Sequence, residues 1–238
     1  TLTVVQPASI VSQPEGGSAV LGEVFVMSVV TVGTEPISYQ WHFGGQAMEG
    51  ATKSSLSLAN VKAVNSGKYK VTVSNAAGSE TSDTVTLSVE SPPVMTELTE
   101  SLSAVEGESV ELSVTAVGTE PITYQWSKGG VVLDGATEST LSLANVVPSD
   151  AADYMVAVSN GAGRVESNLI ALNVIQPVVI VSQPVPAVAA IGDKAVFGVS
   201  VTGSVPISYQ WEFNGEPLAN QSAAKLVIEN VSPVDGGT

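Results

Sequence analysis

Apolar and polar residues alternate along most of the chain. Between Val110 and Ala116 every second residue is apolar, and in the segment 154–159 the residues Tyr154, Val156 and Val158 alternate with Met155, Ala157 and Ser159. A period of two turns one side of a strand toward a core and the other side toward solvent. Turn-forming pairs such as Gly44-Gly45 separate the runs, and no segment keeps the 3.6-residue period of a helix. The pattern predicts an all-β chain of short antiparallel strands packed into sandwiches.

The chain repeats itself with a period of 85 residues. The hexapeptide PISYQW, which ends at Trp41, recurs as PITYQW ending at Trp126 and as PISYQW ending at Trp211, with no insertion between copies. Three ungapped copies indicate a tandem array. The register predicts one repeat at 6–90, a second at 91–175 and a third at 176–238 that lacks its final strands. It also predicts that residues 1–5 are the last strand of a preceding repeat, so we expect a window from a longer array.

Composition and charge exclude several classes of function. The 238 residues include 23 acidic and 8 basic side chains, for a net charge of −15, with no cysteine and one histidine. This balance argues against nucleic-acid binding and against docking on an anionic membrane, and no apolar run is long enough to span a bilayer. Without cysteine there is no disulfide, thiolate nucleophile or cysteine metal site. His42 has no acid or nucleophile placed beside it by spacing, so we predict no enzyme and no catalytic residue.

Calcium is the one cofactor that the sequence leaves open. Acidic residues lie in or near loops at Glu80, Asp83, Asp134, Asp150 and Asp153. A calcium ion needs about six to eight oxygen ligands that converge on one point. The sequence has no Asp-x-Asp-x-Asp-Gly loop and no acidic cluster at the joints between repeats. The prediction is therefore no cofactor, with a calcium site as the alternative.

The repeated residues resemble the immunoglobulin fold of intermediate-set type. In the second copy the resemblance covers the segment 107–121, Trp126, the segment 141–146 and the segment from Asp150 to Val156. More closely, the phrases PISYQW, LSLANV and VSNAAG are similar to the cysteine-free tandem immunoglobulin-like repeats of large bacterial surface and secreted proteins. The resemblance implies tandem antiparallel β-sandwiches over essentially the whole chain. It implies little about function, because this fold hosts many roles.

The same resemblance implies a set of structural core residues. Valine occupies the positions of the family's two sheet-bridging cysteines, for example Val29 and Val71, which are 42 residues apart. A bridge closing such a loop would contribute about 4 kcal/mol, and two buried valines at about 1.5–3 kcal/mol each offset its absence. A tryptophan is expected over each valine pair, and a tyrosine is expected to bond back to the backbone. The core residues so implied are Trp41, Trp126, Trp211, Val29, Val71, Val114, Val156, Val199, Tyr69 and Tyr154.

The expected function is structural. Joints that contain proline and lack Gly/Ser runs predict a rod of limited bend in which each repeat contacts its neighbours in the chain. We expect a segment of an exported bacterial cell-surface protein, outside the cell, that builds a stalk, a filament or a surface layer. Copies of the protein itself are the partners in the last two cases. Two alternatives stay open: an adhesion module for a glycan or protein, and a spacer array beside a catalytic domain in a secreted hydrolase.

Overall fold

The structure, a computed structural model, describes residues 2–238, and its regular elements there are strands and three single-turn 3₁₀ helices. The 3₁₀ helices are Ala63–Asn65, Pro148–Asp150 and Pro233–Asp235. The first repeat contains β1 (Ser9–Ser12), β2 (Gly17–Val20), β3 (Phe25–Ser28), β4 (Val30–Val32), β5 (Ser38–Phe43), β6 (Gln46–Ala47), β7 (Ser55–Leu58), β8 (Gly67–Asn75), β9 (Gly78–Thr81) and β10 (Val85–Glu90).

The same order of strands returns in the second repeat and, in part, in the third. The second repeat contains β11 (Val94–Leu98), β12 (Leu102–Val105), β13 (Val110–Val117), β14 (Thr123–Lys128), β15 (Val131–Val132), β16 (Thr140–Leu143), β17 (Ala152–Asn160), β18 (Gly163–Glu166) and β19 (Ile170–Ile175). The third contains β20 (Val179–Ser182), β21 (Ala195–Gly198), β22 (Ser200–Thr202), β23 (Glu212–Phe213), β24 (Glu216–Pro217) and β25 (Lys225–Ile228).

The first two repeats are sandwiches of two sheets. In the first repeat one sheet has the order β2-β10-β8-β5-β6, with β9 beside β8, and the pairs β1–β4 and β3–β7 form the other. In the second repeat the order β12-β19-β17-β14-β15, with β18 beside β17, faces β11-β13-β16. The pairs β2–β10 and β12–β19 are parallel, and the central pairs β5–β8 and β14–β17 are antiparallel. The predicted all-β sandwich class is therefore confirmed.

Each of these two sandwiches encloses its own core, as the alternating pattern predicts. On β13, Val110, Leu112 and Val114 are buried, while the residues between them are exposed. The core of the first repeat is centred on Trp41 and that of the second on Trp126, both fully buried. Successive repeats therefore pack as separate units joined end to end.

The third repeat is open on one side. Within residues 2–238 it has no strand equivalent to β8 or β17, and its strands form only two-stranded pairs. Trp211 and Val199, which the resemblance places in a core, are only half-buried and line an open cavity of about 280 Å³. The physical reason is that β8 and β17 cover the equivalent tryptophans in the first two repeats, and no described strand does so here.

The first residues of the chain lie outside the strands. Residues 2–7 belong to no strand, and the side chains of Leu2 and Val4 are 92% and 82% exposed. Thr1 lies outside the described residues. The assignment of residues 1–5 to the last strand of a preceding repeat stays a prediction, because that repeat is not part of the sequence. The boundaries placed after residues 90 and 175 coincide with the ends of β10 and β19.

Candidate functional site at the joints between repeats

The first repeat is fastened to the second by a network of hydrogen bonds around Ser91. Strand β10 of the first repeat ends at Glu90, and the next residue already bonds to the second repeat. The Ser91 N–H donates to Oγ1 of Thr119 at 2.7 Å, and the Thr119 N–H donates back to the Ser91 carbonyl at 3.0 Å. No residue is therefore left free between the last strand of one repeat and the first contact with the next.

Asn160 closes this network from a neighbouring loop. Its Nδ2 donates to the carbonyl oxygens of Ser91 and Thr119, both at 2.8 Å. Its Oδ1 accepts from the N–H groups of Ala162 and Gly163 at 2.9 and 3.1 Å, which fixes the turn between β17 and β18. One side chain thus links the joint, the loop before β14 and the loop after β17. We call Ser91, Thr119 and Asn160 the joint clamp.

The same arrangement occurs once before and, in part, once after. At the start of the first repeat, Gln6, Thr34 and Asn75 make the equivalent bonds, with the Asn75 Nδ2 at 2.8 Å from the Gln6 carbonyl and 2.9 Å from that of Thr34. At the second joint Gln176 exchanges the two bonds with Ser204 at 2.8 and 3.0 Å. The asparagine position of the third repeat would fall after residue 238.

Close packing leaves no room for larger residues at the clamp. A Cβ on Gly118 would lie 3.1 Å from Cα of Pro93 and 3.2 Å from the carbonyl oxygen of Pro92. A Cβ on Gly33 would lie 2.9 Å from the backbone at the equivalent place in the first repeat, where φ is +147°. The contact at Gly33 is too short for a Cβ and that at Gly118 is tight, so the backbones of joint and loop touch directly.

Side chains also cross the joints. The Glu90 carboxylate of the first repeat lies against Gly161 of the second, where a Cβ would be 3.0 Å from Oε2. At the second joint Nε2 of Gln176 donates to Oε2 of Glu106 at 3.3 Å. Both repeats that flank a joint therefore contribute side chains or backbone to it.

A buried tryptophan and a buried tyrosine stabilise each of the two complete sandwiches. Trp41 lies directly opposite Val71 in the β5–β8 pair, and Trp126 lies opposite Val156 in the β14–β17 pair. The indole N–H groups donate to the Lys53 carbonyl at 2.9 Å and to the equivalent Glu138 carbonyl at 3.0 Å. The predicted core residues Val29, Val71, Val114, Val156, Tyr69 and Tyr154 are all buried.

Two family models match this chain. Residues 8–89 match the immunoglobulin I-set domain, and residues 92–160 match the immunoglobulin domain. The chain is a tandem of immunoglobulin-like domains. Its first two domains contain valine at the positions that the resemblance equates with the sheet-bridging cysteines, and no cysteine occurs anywhere in the sequence.

Relatives of these domains occur in long animal proteins. The basement membrane-specific heparan sulfate proteoglycan core protein of Mus musculus is 42% identical over 115 residues, which is 47% of this chain and 3% of that protein. Hemicentin-1 of Mus musculus is 25% identical and matches 90% of this chain, and the cell adhesion molecule DSCAM of Homo sapiens is 26% identical and matches 86%. This chain spans 4% and 11% of their lengths.

A solved structure shows the same tandem fold. An I-band fragment of titin superimposes with a TM-score of 0.79 at 21% identity, covering 96% of this chain and 90% of that one. At this level of identity the likeness concerns the fold alone. The high score over nearly the whole length means that a known immunoglobulin-like tandem has a similar overall arrangement.

Each complete immunoglobulin-like domain also carries a tyrosine bonded back to the preceding 3₁₀ helix. The Tyr69 hydroxyl donates to the Asn65 carbonyl at 2.8 Å, and the Tyr154 hydroxyl donates to the Asp150 carbonyl at 2.9 Å. Burial raises the pKa of both tyrosines. These hydroxyls therefore remain protonated donors over a wide pH range.

The two domains differ beside this tyrosine. In the first domain Phe43 packs on Tyr69, with ring centroids 4.8 Å apart. In the second domain Lys128 takes that place, and its Nζ lies 2.8 Å from Oδ1 of Asp150 and 5.9 Å from the centre of the Tyr154 ring. The hydrogen bond from Lys128, with one from the Val147 N–H, holds the pKa of Asp150 below its usual value.

The solvent exposure of His42 differs from the prediction. The sequence predicts a solvated strand residue, but the structure leaves the side chain half-buried with Nδ1 shielded from solvent and without a hydrogen-bond partner. Its cross-strand neighbour is Lys70, which offers no acceptor. Among residues 2–238 no three histidine or acidic side chains converge as a metal site would require. No helix in that range is long and apolar enough to cross a membrane.

Sequence reasoning did not identify the clamp or a pair of bridging serines. Asn75 and Asn160 are related by the 85-residue offset, and each has the local pattern of a turn residue. Ser82 and Ser167 accept the N–H of Val71 and of Val156, both at 3.0 Å, where the strand paired with β8 or β17 is interrupted. Polar loop residues that recur at the 85-residue offset are the signal from which the clamp and the bridging serines could have been predicted.

Proposed function

We propose that this chain is a stiff, non-catalytic spacer of an exported surface or matrix protein, in which the joint clamp sets the angle between neighbouring domains. The observation that carries the proposal is the position of Ser91, which follows the last residue of β10 and is bonded to two loops of the second domain. A linker that is fully hydrogen-bonded has no backbone freedom to act as a hinge.

Charge supports an extended arrangement of the domains. The first domain has a net charge of −3, the second −9 and the third −3. Like charges along a rod repel one another, and repulsion over about a Debye length of 8–10 Å opposes folding back of one domain on the next. The joint clamp and the charge repulsion therefore both favour an extended arrangement of the domains.

Location and origin are part of the proposal. Export is favoured by the relatives whose names place them in basement membrane or describe them as cell adhesion molecules. Another relative is named as a muscle M-line assembly protein of Caenorhabditis elegans, and that name does not point to export. The expectation of a bacterial protein finds no support among the relatives named here, which are from animals.

Small-angle X-ray scattering of two matched double variants tests the proposal. Thr119→Ala with Asn160→Ala removes the side-chain bonds of the clamp between the domains and leaves only the backbone bond from Thr119 to Ser91. Thr34→Ala with Asn75→Ala makes the same chemical change before the first domain. We expect the first variant to have a smaller radius of gyration and a broader distribution of interatomic distances than the unaltered chain, because its joint can bend. The second variant should scatter like the unaltered chain. Equal scattering by all three proteins would contradict the proposal.

A further inference from the structure

A groove in the second domain runs between the edges of its two sheets. Strand β11 has one hydrogen-bonded neighbour, β13, and β18 has one, β17, so within residues 2–238 neither strand is paired on the side that faces the groove. The groove has a volume of about 420 Å³ and is lined by the segments 93–98 and 165–168. We call it the edge groove.

The first domain closes the equivalent place with one of its own side chains. Glu80 extends from β9 to β1, where its Oε2 accepts the N–H of Ile10 at 2.9 Å. The hydrogen bond from Ile10 holds the pKa of the Glu80 carboxyl below its usual value. A carboxylate of the same domain therefore occupies a backbone donor on the outer edge of β1.

The second domain lacks this closure. The 85-residue offset places Met95 at the position of Ile10 and Val165 at the position of Glu80. Strands β1 and β11 pair with their neighbours in the same register, with an irregularity after Ile10 and after Met95, so the N–H of Met95 has the same direction as that of Ile10. The side chain of Val165 contains no acceptor. The donor that Glu80 binds in the first domain therefore remains available in the second.

The edge groove has an apolar floor and an acidic rim. The floor consists of three half-buried side chains that pack against the core of the domain, Met95, Leu98 and Val165. The rim carries the exposed carboxylates of Glu97 on β11 and Glu166 on β18. An extended chain alternates its side chains between two faces, so it can place apolar residues on this floor and polar residues at this rim.

The charge around the edge groove favours a basic partner. The second domain has a net charge of −9 and only two basic side chains, one of which, Arg164, is bonded to Glu166 at 2.7 Å. Within residues 2–238 Glu97 has no ion-pair partner. The equivalents of Glu97 and Glu166 in the first domain are Ser12 and Thr81. The acidic rim therefore occurs in the domain whose groove is open and not in the domain whose groove is closed.

We propose that the edge groove binds an extended basic segment of a partner protein, which adds to β11 as a further strand. A backbone carbonyl of that segment accepts the Met95 N–H, in the place that the Glu80 carboxylate takes in the first domain. Its apolar side chains lie on the floor, and its lysine or arginine side chains reach the rim. An acidic segment is repelled by the same rim. This binding goes beyond the spacer role and requires only that the second domain is folded.

A nuclear magnetic resonance titration of the full chain gives the first test, with the Met95 amide signal as the reporter. The probe is a capped hexapeptide of alternating lysine and valine. We expect the signal to shift with a dissociation constant on the order of 1 mM, because six residues bury much less surface than a standard interface. A Met95 signal that stays unchanged up to about 5 mM peptide would overturn the proposal.

Two control peptides separate strand pairing from charge. Replacing the valines of the probe with proline keeps the positive charge but removes half of the backbone donors and disfavours a strand. Replacing the lysines with glutamate keeps the strand propensity of the valines and reverses the charge. We expect both control peptides to bind at least about tenfold more weakly than the probe. Equal binding of the proline peptide would show attraction by charge alone and would overturn the proposal.

A matched pair of variants locates the site. Val165→Glu gives the second domain the closing carboxylate of the first. Val131→Glu makes the same change at an exposed position of β15, at the other edge of the larger sheet. We expect Val165→Glu to weaken binding of the lysine–valine peptide at least about tenfold and Val131→Glu to leave it within about twofold. Both variants add the same negative charge, so equal effects of the two would overturn the proposal.

The acidic rim can be tested without altering the floor. Glu97 and Glu166 are exposed, so Glu97→Gln with Glu166→Gln should leave the fold intact, which the remaining amide signals report. We expect this variant to bind the lysine–valine peptide about three- to tenfold more weakly and with a smaller dependence on salt. An unchanged affinity would overturn the assignment of a basic partner.

Discussion

The side-chain amide of Asn160 donates a hydrogen bond of 2.8 Å to the carbonyl of Ser91, 69 residues earlier in the chain. This bond joins the turn between β17 and β18 of the second domain to the residue that immediately follows the first domain. Because Thr119 binds Ser91 as well, the joint has no free residue. The stiffness of the tandem therefore depends on a few polar atoms at the joint, while the cores stabilise each domain separately.

Replacing Asn160 with alanine is expected to destabilise the second domain by about 1–2 kcal/mol, because the carbonyls of Ser91 and Thr119 lose a donor and the turn loses an acceptor. Urea unfolding measures this loss. Asn75→Ala should destabilise the first domain by a similar amount, since its amide makes the equivalent bonds. A destabilisation below about 0.5 kcal/mol for both variants would mean that water replaces the clamp bonds without cost.

Acid is expected to weaken the second domain through Asp150. Its pKa is lowered in the folded state, so the stabilisation by the Lys128–Asp150 pair is present above the usual aspartate pKa and is lost as the pH falls through the lowered value. The pair is partly exposed and contributes about 1 kcal/mol or less.

The variant Asp150→Asn isolates this effect. It is expected to be less stable than the original chain near neutral pH and to approach it at about pH 2. Thermal unfolding between these pH values measures the difference. A constant gap between the two proteins across the range would show that the ionised pair does not stabilise the domain.

Base is expected to destabilise both complete domains through their buried tyrosines. Burial raises the pKa of Tyr69 and Tyr154, so the stability they provide is fully present below the unfolded tyrosine pKa of about 10 and is lost as the pH rises through the folded value. Tyr69→Phe and Tyr154→Phe should each cost about 1 kcal/mol at neutral pH, since each removes one hydroxyl bond. At alkaline pH the melting temperature of the double variant should fall much less than that of the original chain. An equal fall in both proteins would show that other groups cause it.

Replacing the buried Ser82 is expected to reduce the free energy of unfolding more than replacing an exposed threonine of the same domain. The Ser82 hydroxyl accepts from the Val71 N–H at 3.0 Å and donates to the Asp83 carbonyl at 2.8 Å. Ser82→Ala leaves a buried N–H without that acceptor and should cost about 1–3 kcal/mol in urea unfolding. Thr86→Ala, at an exposed position of β10, serves as the control and should change stability by less than about 0.5 kcal/mol.

Much of the fold can be predicted from the sequence because it is encoded in local patterns. The alternation from Val110 to Ala116 and the 85-residue repeat are properties of neighbouring or equally spaced residues, and they predict strands and a tandem array. The immunoglobulin-like class then follows from Trp126 and the residues around it. Trp211 is the exception, because its burial depends on a strand that residues 2–238 do not contain.

The joint clamp could not be predicted in the same way. Ser91, Thr119 and Asn160 are far apart in sequence, and each has a local interpretation as a linker or turn residue. Only the folded chain brings the β17–β18 turn to the start of β11.

The distance between two spin labels on neighbouring domains tests the central claim most directly. Because the chain has no cysteine, Thr86→Cys and Ser142→Cys place one label on an exposed strand position of each complete domain. Pulsed electron paramagnetic resonance on dilute samples then reports the distribution of interdomain distances. The clamp predicts one narrow distribution that broadens with Asn160→Ala and stays narrow with Asn75→Ala. A broad distribution in the protein with an intact clamp would contradict a stiff joint.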